Sequence, residues 1–156
     1  MHKLVIFTDG GARGNPGPGA IGAVIKAESG EILGEVSRTI GETTNNVAEY
    51  SAVVAALEWL RENMQRHKDT KTQRIQFYLD SVLVVNQLNG LFKVKDGKLR
   101  NLLVQVRMLE QEIGIDVIYT AIPREQNSQA DALVNEALDG KYKNPNFKIR
   151  SKFNPA

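Results

Sequence analysis

Leu4-Val5-Ile6-Phe7 is an unbroken apolar run, too dense in β-branched and aromatic residues for an outside strand. It predicts a central strand over residues 3–9, buried on both faces. The stretch Thr8 to Gly19, TDGGARGNPGPG, follows it and is too rich in Gly and Pro to be helical. Ala20 to Ile25 resumes as a second strand, Glu28-Ser29-Gly30-Glu31 reads as a hairpin turn, and Ile32 to Ile40 is a third strand with partial alternation. Connections this short make the three strands antiparallel neighbours.

After Thr44-Asn45-Asn46, good N-cap residues, the apolar period changes. Val47, Tyr50, Val54, Leu57, Leu60 and Met64 recur at helical spacing and predict a first long helix, ending in the polar stretch Gln65 to Arg74. Arg74 to Leu79 is a fourth strand, closed by Asp80-Ser81. A second helix covers Val82 to Leu88 and stops at Asn89-Gly90. Lys98 to Glu112 is a third helix, with Leu99, Leu102, Leu103, Val106 and Leu109 on its apolar side and Gly114 at its end. Ile115 to Ile122 is a fifth strand, broken by Pro123. Asn127 or Ser128 caps a last helix, apolar at Ala130, Leu133, Val134, Ala137 and Leu138 and stopped by Gly140. The order β-β-β-α-β-α-α-β-α describes an α/β fold with a mixed sheet, its fourth and fifth strands parallel to the first.

Composition narrows the class without naming a chemistry. The chain has 156 residues, 42% hydrophobic and 24% charged, ordinary values for one globular domain able to bury its own core. Cysteine is absent, which excludes disulfides, thiolate zinc sites and a Cys nucleophile. No apolar run approaches a membrane span and the N-terminus lacks the layout of a secretion signal, so the expected setting is cytoplasmic, with no membrane partner. The net charge of +2 points only weakly to a polyanion. Lys141, Lys143, Lys148, Arg150 and Lys152 make the last residues basic, with no acid among them. They divide the chain into a domain of residues 1–140 and a tail of residues 141–156, either a docked extension or a loose arm.

Gly17-Pro18-Gly19-Ala20-Ile21-Gly22 matches the G-x-G-x-x-G pattern of dinucleotide sites, but it runs into a strand rather than a helix N-terminus, and the match is accidental. Four carboxylates carry more. Asp9 lies where the first strand gives way to the Gly/Pro loop, Glu49 about one turn into the first long helix, Asp80 at the end of strand four and Asp131 in the first turn of the last helix. Each has an ordinary explanation: Asp9 as a turn residue, Asp80 as a cap, Asn46-x-x-Glu49 and Ser128-x-x-Asp131 as capping boxes. Taken together they point elsewhere. Strands one and four are neighbours in such a sheet, ligands gather at the C-terminal ends of its strands, and both helices begin near that edge. Four converging carboxylates repel one another unless cations hold them. Oxygen ligands without His or Cys select Mg²⁺ or Mn²⁺, and two ions about 4 Å apart suit attack on a phosphodiester.

The segments TDGGARGNPGPGAIGAVI, TTNNVAEYSAVVAAL, LDSVLVVNQLNG and PREQNSQADALVNEAL, in this order, resemble the type 1 ribonuclease H family, and most of all its compact archaeal and bacterial branch. The resemblance runs from residue 4 to about 139. It implies a ribonuclease H-like fold of five strands in the order 3-2-1-4-5. It implies a metal-dependent endoribonuclease that cuts the RNA strand of an RNA/DNA hybrid and leaves 5′-phosphate and 3′-hydroxyl ends, with double-stranded RNA a further candidate substrate and a monomer the expected state. Asp9 would bridge two metal ions, Asp131 would complete the site of the attacking water, and Glu49 and Asp80 would complete that of the leaving oxygen. Asn15, Asn45, Asn46 and the backbone of Gly10-Gly11 would line the minor groove beside the RNA strand, where 2′-hydroxyls are read, and Thr44 would hold a phosphate of the DNA strand.

Three departures from the family pattern stand out. Many members carry a histidine before the last Asp, whereas Pro123 to Gln129 has none and Arg124 stands nearest to its place, expected either as a phosphate-holding catalytic group or as a surface Arg paired with Glu125 or with solvent. The basic protrusion many members carry is reduced to Leu91–Lys98, with Lys93, Lys95 and Lys98. The residue two past Asp80 is Val82, where a sugar contact is usual. The alternatives are a resolvase or integrase on the same fold, and a catalytically weak module that only binds nucleic acid.

Overall fold

The structure is a computed structural model and describes residues 2–67, 72–140 and 150–151. Its elements follow the expected order. Strands β1 (His2–Ala12), β2 (Gly17–Ala27) and β3 (Ile32–Thr43) precede α1 (Asn45–His67) and β4 (Thr72–Leu79). Then come α2 (Val82–Leu88), α3 (Gly97–Ile113), β5 (Asp116–Ala121), a single 3₁₀ turn over Arg124–Gln126, and α4 (Ser128–Leu138). Five strands lie in the order 3-2-1-4-5, β4 running parallel to β1 and β5 parallel to β4. A two-residue strand, β6 (Arg150–Ser151), adds antiparallel to the outer side of β3, pairing Arg150 with Glu35 and Ser151 with Gly34. The rest of the basic tail, and residues 68–71 of the polar stretch after α1, lie outside the described residues.

Two boundaries differ from expectation in a way that matters. The β1 ladder continues through Asp9, Gly10 and Gly11 to Ala12, and β2 begins at Gly17, so the loop shrinks to Arg13–Pro16. Asp9 is therefore a strand residue rather than a turn residue. Glycines are weak strand formers in isolation, but here their backbone groups pair across the ladder, Asp9 with Gly22 and Gly10 with Ile21. The Gly17–Gly22 stretch lies within β2, which leaves it no dinucleotide role.

Successive residues of a strand face opposite sides, and the sheet uses both. On one side Leu4, Ile6, Ile21, Ile25, Ile75, Phe77 and Leu79 pack with Tyr50, Val53, Leu57 and Leu60 of α1 and with Val106 and Leu109 of α3 in the main core. On the other, Ala20 meets Val134 and Ala137 of α4 in a small second cluster. Away from the strand ends, the Tyr119 hydroxyl donates to Glu110 at 2.7 Å, and Arg107 bonds both Glu110 and the Leu88 carbonyl, tying β5, α3 and α2 together.

Two glycines set how closely the helices approach beside Asp9. A Cβ on Gly10 would overlap the Ala48 carbonyl of α1, and one on Gly22 would overlap the Ala130 carbonyl of α4. Ala48 precedes Glu49 and Ala130 precedes Asp131, so these bare backbones bring an acid-bearing helix against each face of the sheet. Gly22→Ala should destabilise the protein by about 1–3 kcal/mol, the usual range for overpacking, and should weaken cleavage as α4 is pushed outward. Thermal denaturation and a cleavage assay on this variant check both effects.

Candidate active site

Asp9 of β1 and Glu49 of α1 are each only 7% exposed, and Asp80, half-buried, follows the last residue of β4. Each offers a carboxylate oxygen, and these oxygens all lie within 4.8 Å of one another. Asp131 falls outside this tight trio but lines the same cleft of about 320 Å³, with Gly10, Gly11, Arg13, Asn45, Arg124 and Asn135 among the other walls. Its Oδ2 accepts a bond from Asn135 Nδ2 at 3.3 Å, one helical turn on.

The capping explanations fail at three of the acids. Thr44 caps α1 through its hydroxyl to the Val47 N–H at 3.3 Å, which leaves Glu49 two positions too deep for a capping box. Ser81, not Asp80, accepts from the Val84 N–H and caps α2. No side chain caps α4, so Asp131 is not part of a box there either, and Asn127 at its N-cap position turns its amide elsewhere: Nδ2 donates to the Thr8 carbonyl at 2.9 Å and to Asp80 Oδ2 at 3.2 Å.

Glu49 Oε2 is buried and has no hydrogen-bond partner. A bare carboxylate oxygen among other acids is costly in a protein interior and is satisfied by a cation. Every donor in the trio is a hard oxygen, which fits Mg²⁺ or Mn²⁺ and not a thiophilic metal.

The family model described as reverse transcriptase-like matches residues 7–137, from β1 to the end of α4. A ribonuclease HI of Halobacterium salinarum is 43% identical over 137 residues, covering 88% of this chain and 65% of that protein. LC11-RNase H1, from compost, was solved in complex with an RNA/DNA hybrid, and that structure matches with TM-score 0.81 at 45% identity over 88% of this chain and 98% of its own.

The chain belongs to the type 1 ribonuclease H family.

It spans 36% of a bifunctional protein of Mycobacterium tuberculosis that is 41% identical over 138 residues, so some ribonuclease H relatives carry much more chain than this one. Members of this family depend on metal, as the acid trio suggests.

The other residues expected at a ribonuclease H site divide between two hollows, with Gly10, Gly11 and Arg124 at the acid cleft. A second, larger hollow of about 860 Å³ is lined by Asn15, Thr44, Asn45, Asn46, Asp96 and Lys98, among others, and Asn45 borders both hollows. The acid trio lines the smaller hollow and not the larger. Asn45 Oδ1 accepts the Ala12 N–H at 2.9 Å, while Asn15 Oδ1 accepts the Asn45 N–H at 3.0 Å. These two bonds lock the β1–β2 turn onto the start of α1 and leave both amide NH₂ groups available. Arg124, in the 3₁₀ turn, is exposed, lines the acid cleft and forms no ion pair among the described residues, so the pairing with Glu125 is not seen. The segment between α2 and α3 carries no helix, and Val82, Leu91 and Phe92 are exposed.

The sequence reading missed Arg13, Asn127 and Asn135. Arg13 pairs with Asp139 at 2.7 Å on the rim of the cleft, a contact its place in the Gly/Pro stretch does not foretell. Asn135 could have been found from its i+4 spacing to Asp131. Asn127 was legible as a cap, and that plausible local role hid its contact with Asp80.

Burial is the main reason the carboxyl of Asp9 is pushed up to about 7; the charges of Asp80 and Asp131 add to it, and a hydrogen bond with Glu49 offsets part. Burial, then the charge of Asp9, raises Glu49 well above the usual carboxylate range, and a bond from the Gly10 N–H only partly counters this. The folded, metal-free protein thus holds protons that the unfolded chain has already released. The stability this confers is complete below the ordinary Asp value of 3.8 and is lost as pH rises through about 7. The metal-free melting temperature should therefore fall between pH 5 and 8, and by less when millimolar Mg²⁺ is present. Melts across that range, with Mg²⁺ and with EDTA, check the sign.

Proposed function

We propose that this chain is an endoribonuclease that hydrolyses the RNA strand of RNA/DNA hybrids with two Mg²⁺ or Mn²⁺ ions, leaving 5′-phosphate and 3′-hydroxyl ends. The observation that carries the proposal is the trio of Asp9, Glu49 and Asp80 with its bare Glu49 oxygen, opening beside a hollow lined with small polar side chains. Asp9 and Asp131 would hold one ion, and Asp9, Glu49 and Asp80 the other. When bound, the ions supply charge neutralisation at the phosphate and activation of water.

The chain's own groups select and orient the substrate. Asn15, Asn45 and Asn46, with the close backbone of Gly10 and Gly11, reach the minor groove of a hybrid, where the 2′-hydroxyl both donates and accepts. Thr44 holds a phosphate of the DNA strand. Arg124 stays protonated at any working pH, so it cannot shuttle protons as an imidazole does. It can hold a phosphate oxygen and offset the charge of the leaving 5′-phosphate. Arg124→Ala should slow turnover about ten- to a hundredfold, the loss of about 1.4–2.7 kcal/mol of charge stabilisation, with little change in melting temperature. Arg124→Lys should recover part of the rate. Wild-type turnover by the alanine variant under saturating substrate would leave the Arg124–Gln126 turn with no role in the chemistry.

Residues 1–140 form the catalytic unit in this reading and residues 141–156 a tail, the whole acting as a cytoplasmic monomer. A panel of matched duplexes tests the substrate: the hybrid should be cut in its RNA strand and the DNA duplex should not be cut. Cleavage of a matched RNA duplex would extend the substrate range. Binding should weaken steeply with salt, since phosphate contacts supply most of the affinity. Strong dependence on base sequence would contradict recognition through 2′-hydroxyls.

A further inference from the structure

We propose that Asn127 is a positioning residue that holds the metal-binding face of the cleft together. The side chain is buried, with the residue 1% exposed, and it stands where three acid-bearing segments meet. Its Nδ2 donates to the Thr8 carbonyl at 2.9 Å, on the residue before Asp9. The same NH₂ donates its second proton to Asp80 Oδ2 at 3.2 Å. Its own carbonyl accepts the Asp131 N–H at 3.1 Å. One residue thereby links β1, the end of β4 and the start of α4.

The amide has only one workable orientation. Both neighbours of Nδ2, a carbonyl and a carboxylate, are acceptors, so a flipped amide would set oxygen against oxygen twice. The bond to Asp80 engages one carboxylate oxygen and restrains the side chain, in a carboxylate that also offers an oxygen within 4.8 Å of those of Asp9 and Glu49. A helix cap would not need this. The amide makes no cap bond at α4, and its Oδ1 is buried without a partner, a cost that capping does not explain. Among the described residues, no other side chain hydrogen-bonds the Asp80 carboxylate.

Without Asn127 the Asp80 carboxylate is free to rotate away from its two like-charged neighbours, which electrostatics favours in the absence of metal. A metal site then has to be assembled at each binding event rather than met ready-made. The expected signature is weaker metal binding and slower turnover with unchanged affinity for the hybrid, because Asn127 is buried and cannot touch nucleic acid.

This inference rests on the acid cleft being a metal-dependent nuclease site, and the test separates the two. Mn²⁺ binding is measured by titration calorimetry, and the Mg²⁺ concentration for half-maximal cleavage by kinetics. The proteins are wild type, Asn127→Ala and, as a control for simple loss of a hydrogen bond, Tyr119→Phe, whose hydroxyl bond to Glu110 is not part of the cleft. Asn127→Ala should raise both metal constants about tenfold and lower kcat ten- to a hundredfold, with KM for the hybrid unchanged. Tyr119→Phe should lower the melting temperature and leave the metal constants alone. If Asn127→Ala does not fold, Asn127→Ser, whose hydroxyl is one bond closer to the backbone than Nδ2, takes its place with the same expectation. Metal constants equal to wild type in a folded Asn127 variant would overturn the positioning role. A wild-type protein that neither binds Mn²⁺ nor cleaves would instead overturn the nuclease reading and this inference with it.

Discussion

Asp9→Asn should abolish cleavage, by about a thousandfold or more, in a protein that folds at least as well as wild type. The two halves of this result come from one cause. Asp9 lies close to Glu49 and Asp80, and its carboxyl is already pushed up to about 7 by burial first and then by the charges of Asp80 and Asp131. An amide of the same shape would remove the carboxylate that the proposed function shares between two ions, and the repulsion with it. Removing one preorganised electrostatic group usually costs a hundred- to a thousandfold, and a ligand common to two ions should lie at or above the top of that range. The metal-free melting temperature near pH 8, where repulsion is greatest, should equal or exceed that of wild type. Substantial Mg²⁺-dependent activity in this variant would remove Asp9 from the centre of the site.

Metal itself should have the second largest effect. Ions that bind the assembled acids and not the unfolded chain stabilise the fold by about 2.7 kcal/mol at a hundredfold excess over Kd. For a domain of this size that corresponds to a rise in melting temperature of about 5–10 °C. Glu49→Gln should shrink the rise, because it puts a neutral amide where a buried carboxylate oxygen lacks a partner. It should also raise the metal-free melting temperature, since Glu49 is held well above the usual carboxylate range by burial and by Asp9. Millimolar Mg²⁺ or Mn²⁺ that leaves both proteins unmoved would mean that the acids do not form a joint cation site.

The fold was largely legible because its signals are of the kind a chain carries locally. Leu4 to Phe7 had to be a central strand, Val47 to Met64 kept a helical period, and short connections fixed the first three strands as antiparallel. The end of β1 was misjudged because Gly10 and Gly11 read as loop. Their strand conformation comes from pairing with Ile21 and Ala20, a contact no local window contains. The convergence of Asp9, Glu49 and Asp80 was legible because the topology brings strands one and four and the first turns of α1 to one edge of the sheet. Asp131 lies outside the tight trio, and nothing in its spacing foretold that. Asn127 escaped for a related reason. Its position before a helix satisfies a common local rule, while its contacts to Thr8 and Asp80 depend on two distant strands ending side by side.

The most direct test is strand-resolved cleavage of one RNA/DNA hybrid, labelled on the RNA in one sample and on the DNA in another, with Mg²⁺ and with EDTA. The expected result is fragmentation of the RNA strand alone, in Mg²⁺ alone, with 5′-phosphate and 3′-hydroxyl ends. A protein that binds the hybrid but leaves both strands intact in Mg²⁺ and in Mn²⁺, or that cuts the DNA strand, would contradict the account.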